Sequence, residues 1–162
     1  MYTKIYWIKK FDNGAAVGIM PRPRGNDWLD DEIKRFEMNG IQTIVSLLEP
    51  HEHTELGLNN EDSFCRKYNI NFINYPIPDR GLPENQQTVN QLIEELRNRI
   101  DQGQRLVIHC RMGIGRSSMI SAAVLIKDKM KVDEIFDEIS QIRGLKVPDT
   151  EDQIDWLKRC EG

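Results

Sequence analysis

The segment His109-Cys110-Arg111-Met112-Gly113-Ile114-Gly115-Arg116-Ser117 brings together residue types that can attack a bound anion. It follows an apolar stretch, Arg105-Leu106-Val107-Ile108, and runs into another from Ser117 to about Ile126. The first reads as a strand and the second as a helix. A cysteine at that junction sits where backbone N–H groups point outward unpaired and the helix start is electropositive. The same field favours the sulfur anion, the reactive form, over the thiol. Gly113 and Gly115 let the backbone curl so that the N–H groups of residues 111 to 116 converge on one point. Arg116 adds a planar, permanent cation that can hold two phosphate oxygens at once. A nucleophile, an amide cradle and a bidentate cation within seven residues suit displacement at phosphorus.

Other elements must carry partners to that loop. Thr3–Ile8 and Ala15–Met20 read as strands joined by the turn Asp12-Asn13-Gly14. Pro21-Arg22-Pro23-Arg24-Gly25 is a loop, and Arg22 and Arg24 on it are candidates to line a mouth for an acidic substrate. Asn26 or Asp27 is placed to cap a helix with Leu29, Ile33 and Phe36 inward, ended by Asn39-Gly40. Ile41–Leu48 reads as an interior strand, followed by a polar loop, Glu49-Pro50-His51-Glu52-His53. A short helix at Asp62–Tyr68 and a strand at Asn71–Tyr75 lead to the proline-braced loop Pro76-Ile77-Pro78-Asp79-Arg80-Gly81. Glu84–Ile100 is an amphipathic helix stopped by Gly103. A further helix carries Val132, Ile135, Phe136, Ile139 and Ile142 inward and closes at Gly144. Thr150 begins the last one, with Ile154 and Leu157 inward. Alternating strands and helices imply an α/β layered fold with a mostly parallel sheet. Parallel connections should gather the loops that start at Glu49, Pro76 and Cys110 on one rim.

His-Cys, five residues, Arg, Ser resembles the signature of the cysteine-dependent protein phosphatases. The short chain is similar to the dual-specificity branch, in particular the small atypical group that includes kinase-associated phosphatase and prokaryotic relatives. The resemblance implies a single domain over residues 1–162, with a central, mostly parallel sheet of four to five strands flanked by helices. It implies hydrolysis of phosphomonoesters on protein or peptide substrates, phosphotyrosine with phosphoserine or phosphothreonine as a further class, through a cysteinyl-phosphate. Cys110 would be the nucleophile, with Arg111 to Arg116 holding the phosphate.

The departing oxygen needs a proton, and Asp79, 31 residues before Cys110, matches the family's general-acid loop. An apolar, partly closed setting would favour its acid form. Ser117 reads as a helix N-cap, and the family adds a hydroxyl that helps the sulfur leave. His109 is expected to order the loop and tune the sulfur. Thr150-Glu151-Asp152-Gln153 has the spacing of a capping box; some relatives use a late glutamine to position water, which makes Gln153 a candidate for that role.

Alternatives stay open on the residues alone. A phosphoinositide phosphatase of this superfamily would be expected to carry extra lysines in the loop, and an RNA 5′-phosphatase to lack the acid. A rhodanese-like sulfurtransferase would leave Asp79 without a role. A phosphopeptide-binding module with a silent site would need none of the catalytic residues.

With 162 residues, 39% hydrophobic and 30% charged, the composition is that of an ordinary globular domain. A net charge of −4 argues against general nucleic-acid binding. No apolar run is long enough to span a bilayer, and no signal peptide is visible at Met1-Tyr2-Thr3-Lys4. Three cysteines do not make a disulfide framework, and a reducing, cytoplasmic setting suits a reactive thiol. Cys65 and Cys160 read as packed thiols, with Cys65 a possible resolving partner for Cys110. His51 and His53 read as surface residues rather than a metal pair. No cofactor or metal is expected.

Overall fold

The computed structural model describes residues 2–126 and 131–161. Five strands, β1 (Tyr6–Lys10), β2 (Ala16–Met20), β3 (Thr43–Ser46), β4 (Asn71–Asn74) and β5 (Arg105–His109), form one sheet in the order β1-β2-β5-β3-β4. Only β1 is antiparallel; β2, β5, β3 and β4 run parallel. The strands alternate with helices α1 (Leu29–Met38), α2 (Pro50–Glu55), α3 (Glu61–Lys67), α4 (Gln86–Asp101), α5 (Arg116–Leu125), α6 (Val132–Arg143) and α7 (Glu151–Glu161).

The period-2 alternation of the central strands divides the core in two. Val17, Ile19, Val45, Leu106 and Ile108 point to one face, packed with Val89, Leu96, Met119, Ile139 and Leu157 of α4 to α7. Met20, Ile44 and Val107 point to the other, against Leu29, Ile33 and Phe36 of α1 and Cys65 of α3. Each such buried branched or aromatic side chain contributes about 1.5–3 kcal/mol relative to exposure. β5 is paired on both sides and buried on both faces, which accounts for its unbroken apolar sequence.

Several elements differ from expectation. β1 begins at Tyr6 rather than Thr3, and the strand expected over 41–48 is confined to Thr43–Ser46. Residues 49–53 are not a loop: Pro50 is the first residue of α2, and Glu49 and Glu52 form a reciprocal capping box. Neither Asn26 nor Asp27 caps α1 with its side chain; Asn26–Trp28 form a 3-10 turn that feeds into it. Ile142 lies 40% exposed at the end of α6, off its buried stripe. Gly144 ends that helix in the left-handed conformation, φ 82°, as the sequence indicates.

Candidate active site

Because β2, β3, β4 and β5 are parallel, their C-terminal ends share one rim. The loops at residues 21–25, 47–49, 75–81 and 110–115 all leave from it. Backbone bonds tie them together: Leu47 N–H donates to His109 O, Ile77 N–H to Leu47 O, and Arg22 N–H to Arg111 O.

Residues 110–115 turn sharply between β5 and α5. Gly113 has φ +71°, and a Cβ there would stand 2.6 Å from the carbonyl carbon of Met20. A Cβ on Gly115 would stand 2.2 Å from Asp149 Oδ2. Only glycine fits either place without displacing a neighbour. From outside, Arg143 at the end of α6 donates to the carbonyls of Met112 (2.9 Å) and Gly113 (3.1 Å). Those carbonyls are thereby held outward. The Arg143 guanidinium also lies over the Tyr6 ring, 4.4 Å from its centre. Met112 projects at the loop tip, 61% exposed.

Cys110 is buried at the base of the loop, with its Sγ 3.3 Å from Ser117 Oγ. Ser117 is inside the first turn of α5 and does not cap it; Gly115 occupies the cap position with no side-chain bond. Its hydroxyl is therefore free of backbone capping and turned to the sulfur.

Among the described residues Arg116 is the largest fully buried side chain. Its Nη1 donates to Glu52 Oε2 (2.8 Å) and to Ile77 O (2.9 Å), its Nη2 to Glu52 Oε1 (2.9 Å) and Asp79 Oδ1 (3.3 Å). Burial alone would pull the guanidinium down, but Glu52, Cys110 and Asp79 reverse this and leave it above its ordinary value. Burial likewise acts to raise Glu52, while Arg116, the Glu49 N–H and Arg111 hold it below the usual carboxylate range. Glu52 is a central residue that the reading of residues 49–53 as a loop missed. The signal was present: Glu-Pro-x-Glu is a capping box with proline at the first helical position.

Asp79 sits on the proline-braced loop with its carboxylate at Arg116, its side chain 61% exposed. The enclosed apolar setting expected for it is not what surrounds it. Gln153 is buried and serves as the expected cap: its Oε1 accepts from Thr150 N–H (3.3 Å) and Asp149 N–H (3.1 Å). Its Nε2 also donates to Gly81 O (3.2 Å), which braces the Asp79 loop from α7.

His109 does not reach the sulfur side. It is buried on the opposite face, with Nε2 2.6 Å from Glu61 Oε2. His51 is exposed as expected, but His53 is not a surface residue; its Nε2 lies 3.0 Å from Ser46 Oγ and 3.6 Å from Glu61 Oε1. Arg24 is spent on the buried Glu32 (3.2 Å) and the Trp28 ring, so it does not line the mouth. The backbone of Arg22 is tied to the loop, its N–H donating to Arg111 O. Cys65 packs in the α1/α3 core while Cys110 belongs to the opposite core, which separates the two sulfurs by the sheet. Among the described residues one carboxylate–histidine group is tight enough for a metal, Glu49, His51 and Glu52, but both Glu52 oxygens are already bonded to Arg116.

A parallel sheet that delivers a cysteine, a clamped arginine and a loop aspartate to one rim is the arrangement of the cysteine-dependent phosphatases. The profile of the family described as "Polymorphic toxin system, DSP-PTPase phosphatase" matches residues 17–130, most of the chain, and the chain belongs to that family. Cyclin-dependent kinase inhibitor 3 of Rattus norvegicus is 24% identical over 131 residues, 80% of this chain and 61% of that protein. Dual specificity protein phosphatase 2 of Mus musculus is 30% identical over 143 residues, 85% of this chain and 41% of that protein. The chain thus spans about three fifths or less of these relatives. The crystal structure of kinase associated phosphatase, with its catalytic-site cysteine replaced by serine, superposes with a TM-score of 0.86 at 20% identity. That match covers 97% of this chain and 93% of the other, and it establishes the shared fold.

Proposed function

We propose that residues 1–162 form one catalytic domain that hydrolyses phosphomonoesters on protein or peptide substrates, phosphotyrosine and phosphoserine or phosphothreonine among them, in a cytoplasmic setting. The observation that carries this reading is the convergence on Arg116. Glu52 fixes the guanidinium through both its oxygens, and Asp79 on the neighbouring loop bonds the same guanidinium.

In the first step the Cys110 sulfur anion attacks phosphorus and the bond to the ester oxygen breaks. Asp79, in its acid form, gives its proton to that departing oxygen. The loop N–H groups and Arg116 hold the three equatorial oxygens, where a loose transition state carries its charge. In the second step water attacks the cysteinyl-phosphate, passes a proton to Asp79, and the S–P bond breaks. The sulfur leaves as an anion that accepts a hydrogen bond from Ser117 Oγ, 3.3 Å away. Gln153 acts here by holding the Asp79 loop through Gly81 rather than by meeting water. The loop supplies its positive field without a lysine, which favours a singly phosphorylated ester over a highly anionic headgroup.

Hydrolysis of phenyl phosphate tests this. Activity that resists chelators, is blocked by vanadate and is lost in Cys110→Ser is expected. Undiminished turnover in Cys110→Ser overturns the assignment.

A further inference from the structure

His109 precedes the reactive cysteine, so alternation along β5 sends the two side chains to opposite faces. On the His109 face, a second polar cluster has no part in the steps above. It comprises Ser46 of β3, the cross-strand register partner of His109, with His53 of α2 and Glu61 of α3. Glu61 is buried, and its two oxygens are unequally used. Oε2 takes the 2.6 Å bond from His109, while Oε1 has no hydrogen bond of normal length and faces His53 at 3.6 Å. The other ring nitrogen of His109, Nδ1, faces the Cys110 carbonyl at 3.4 Å. A backbone carbonyl only accepts, and so does a carboxylate that has lost its proton. With Glu61 ionised, both nitrogens face acceptors, an arrangement that suits a doubly protonated imidazole.

The surroundings agree. Burial would push the Glu61 carboxyl up, yet His109 and His53 outweigh it and hold it below the usual carboxylate range. From α3 itself, Asp62 and Cys65 also face this site; burial first, then Glu61 and Asp62, push the Cys65 thiol up, so it stays neutral there.

We propose that Glu61 is a positioning residue of the active site. It keeps His109 as an imidazolium directly behind the Cys110 backbone, and His53, 12% exposed, connects that pair to solvent. His109 is the residue next to Cys110 in the chain, so a cation on its ring lies one residue from the nucleophile. The proposal rests on Cys110 being the reacting group.

Nitrogen-15 NMR of the three histidines in the intact protein tests it. In the wild type at neutral pH both ring nitrogens of His109 are expected at protonated shifts. In Glu61→Gln one of them should move to an unprotonated shift. Alkylation of Cys110 by iodoacetamide at mildly acidic pH should slow in step, by about tenfold for the loss of one nearby charge. Glu61→Asp should restore part of the rate. A single neutral tautomer in the wild type overturns the proposal without any variant. Unchanged His109 shifts in Glu61→Gln also overturn it, even if alkylation slows, because the role would then be structural. The shifts are read without turnover, so an inactive protein with a doubly protonated His109 would refute the activity and leave this assignment standing.

Discussion

Both oxygens of the Glu52 carboxylate meet the Arg116 guanidinium, at 2.8 and 2.9 Å, and both side chains are almost wholly buried. This pair ties the Arg116 guanidinium to α2. Glu52→Ala leaves a buried charge without its partner, a loss on the order of 3–5 kcal/mol. Chemical denaturation is expected to show a drop of that size. Glu52→Gln keeps the shape but halves the charge-assisted bonding, and kcat/KM for phenyl phosphate should fall by about tenfold or more. Equal activity in Glu52→Gln would mean that Arg116 is held well enough by Ile77 O.

Asp79 Oδ1 occupies one of the Arg116 Nη2 donors. In Asp79→Asn the acid is lost, and kcat should fall by roughly 10²–10⁴. Vanadate binding should be retained or tightened, since a negative charge beside the anion site has gone. Titration of the variant with vanadate, alongside its steady-state kinetics, checks both halves.

Arg143 holds the loop from outside through Met112 O and Gly113 O. Arg143→Ala should raise KM several-fold more than it lowers kcat, because a cradle with misdirected amides binds the anion poorly. The stability loss should be about 1–2 kcal/mol, the scale of partly exposed bonds from a charged donor. A variant with unaltered KM would show that the loop keeps its shape unaided.

Glu52 and Glu61 are both held below the usual carboxylate value of 4.5 in the folded protein. The unfolded chain therefore binds more protons as pH falls below that value. The stability these two groups contribute is fully present above it and is lost as pH drops through their lower folded values. Urea midpoints measured across the acid range should fall steeply in the wild type and less steeply in Glu52→Gln and Glu61→Gln. Parallel slopes would contradict the assignment of these two residues.

The legible part of this protein lay in local patterns. Strand β5, the glycine turn and α5 are contiguous and each obeys its own period, so Cys110, Arg116 and their loop could be read directly. The proline-braced segment around Asp79 was equally local, and the sheet rule placed it at the same rim. What escaped was contact between distant elements. Nothing near Glu52 in sequence says that it will meet Arg116, and a short polar helix carries too few apolar residues for periodicity to show. His53 and Glu61 look like surface residues until α2 and α3 are folded over β3. Arg24 showed the reverse: a free-looking cation on a stiff loop is consumed by Glu32, one helical face away.

In the proposed mechanism Cys110 itself carries the phosphoryl group between the two steps. Rapid acid quench during turnover of phenyl phosphate, followed by peptide mass spectrometry, tests it directly. One phosphoryl group is expected on the peptide that contains Cys110, and none in Cys110→Ser. Full turnover with that peptide unmodified at every quench time, or the phosphoryl group on another residue, would contradict it.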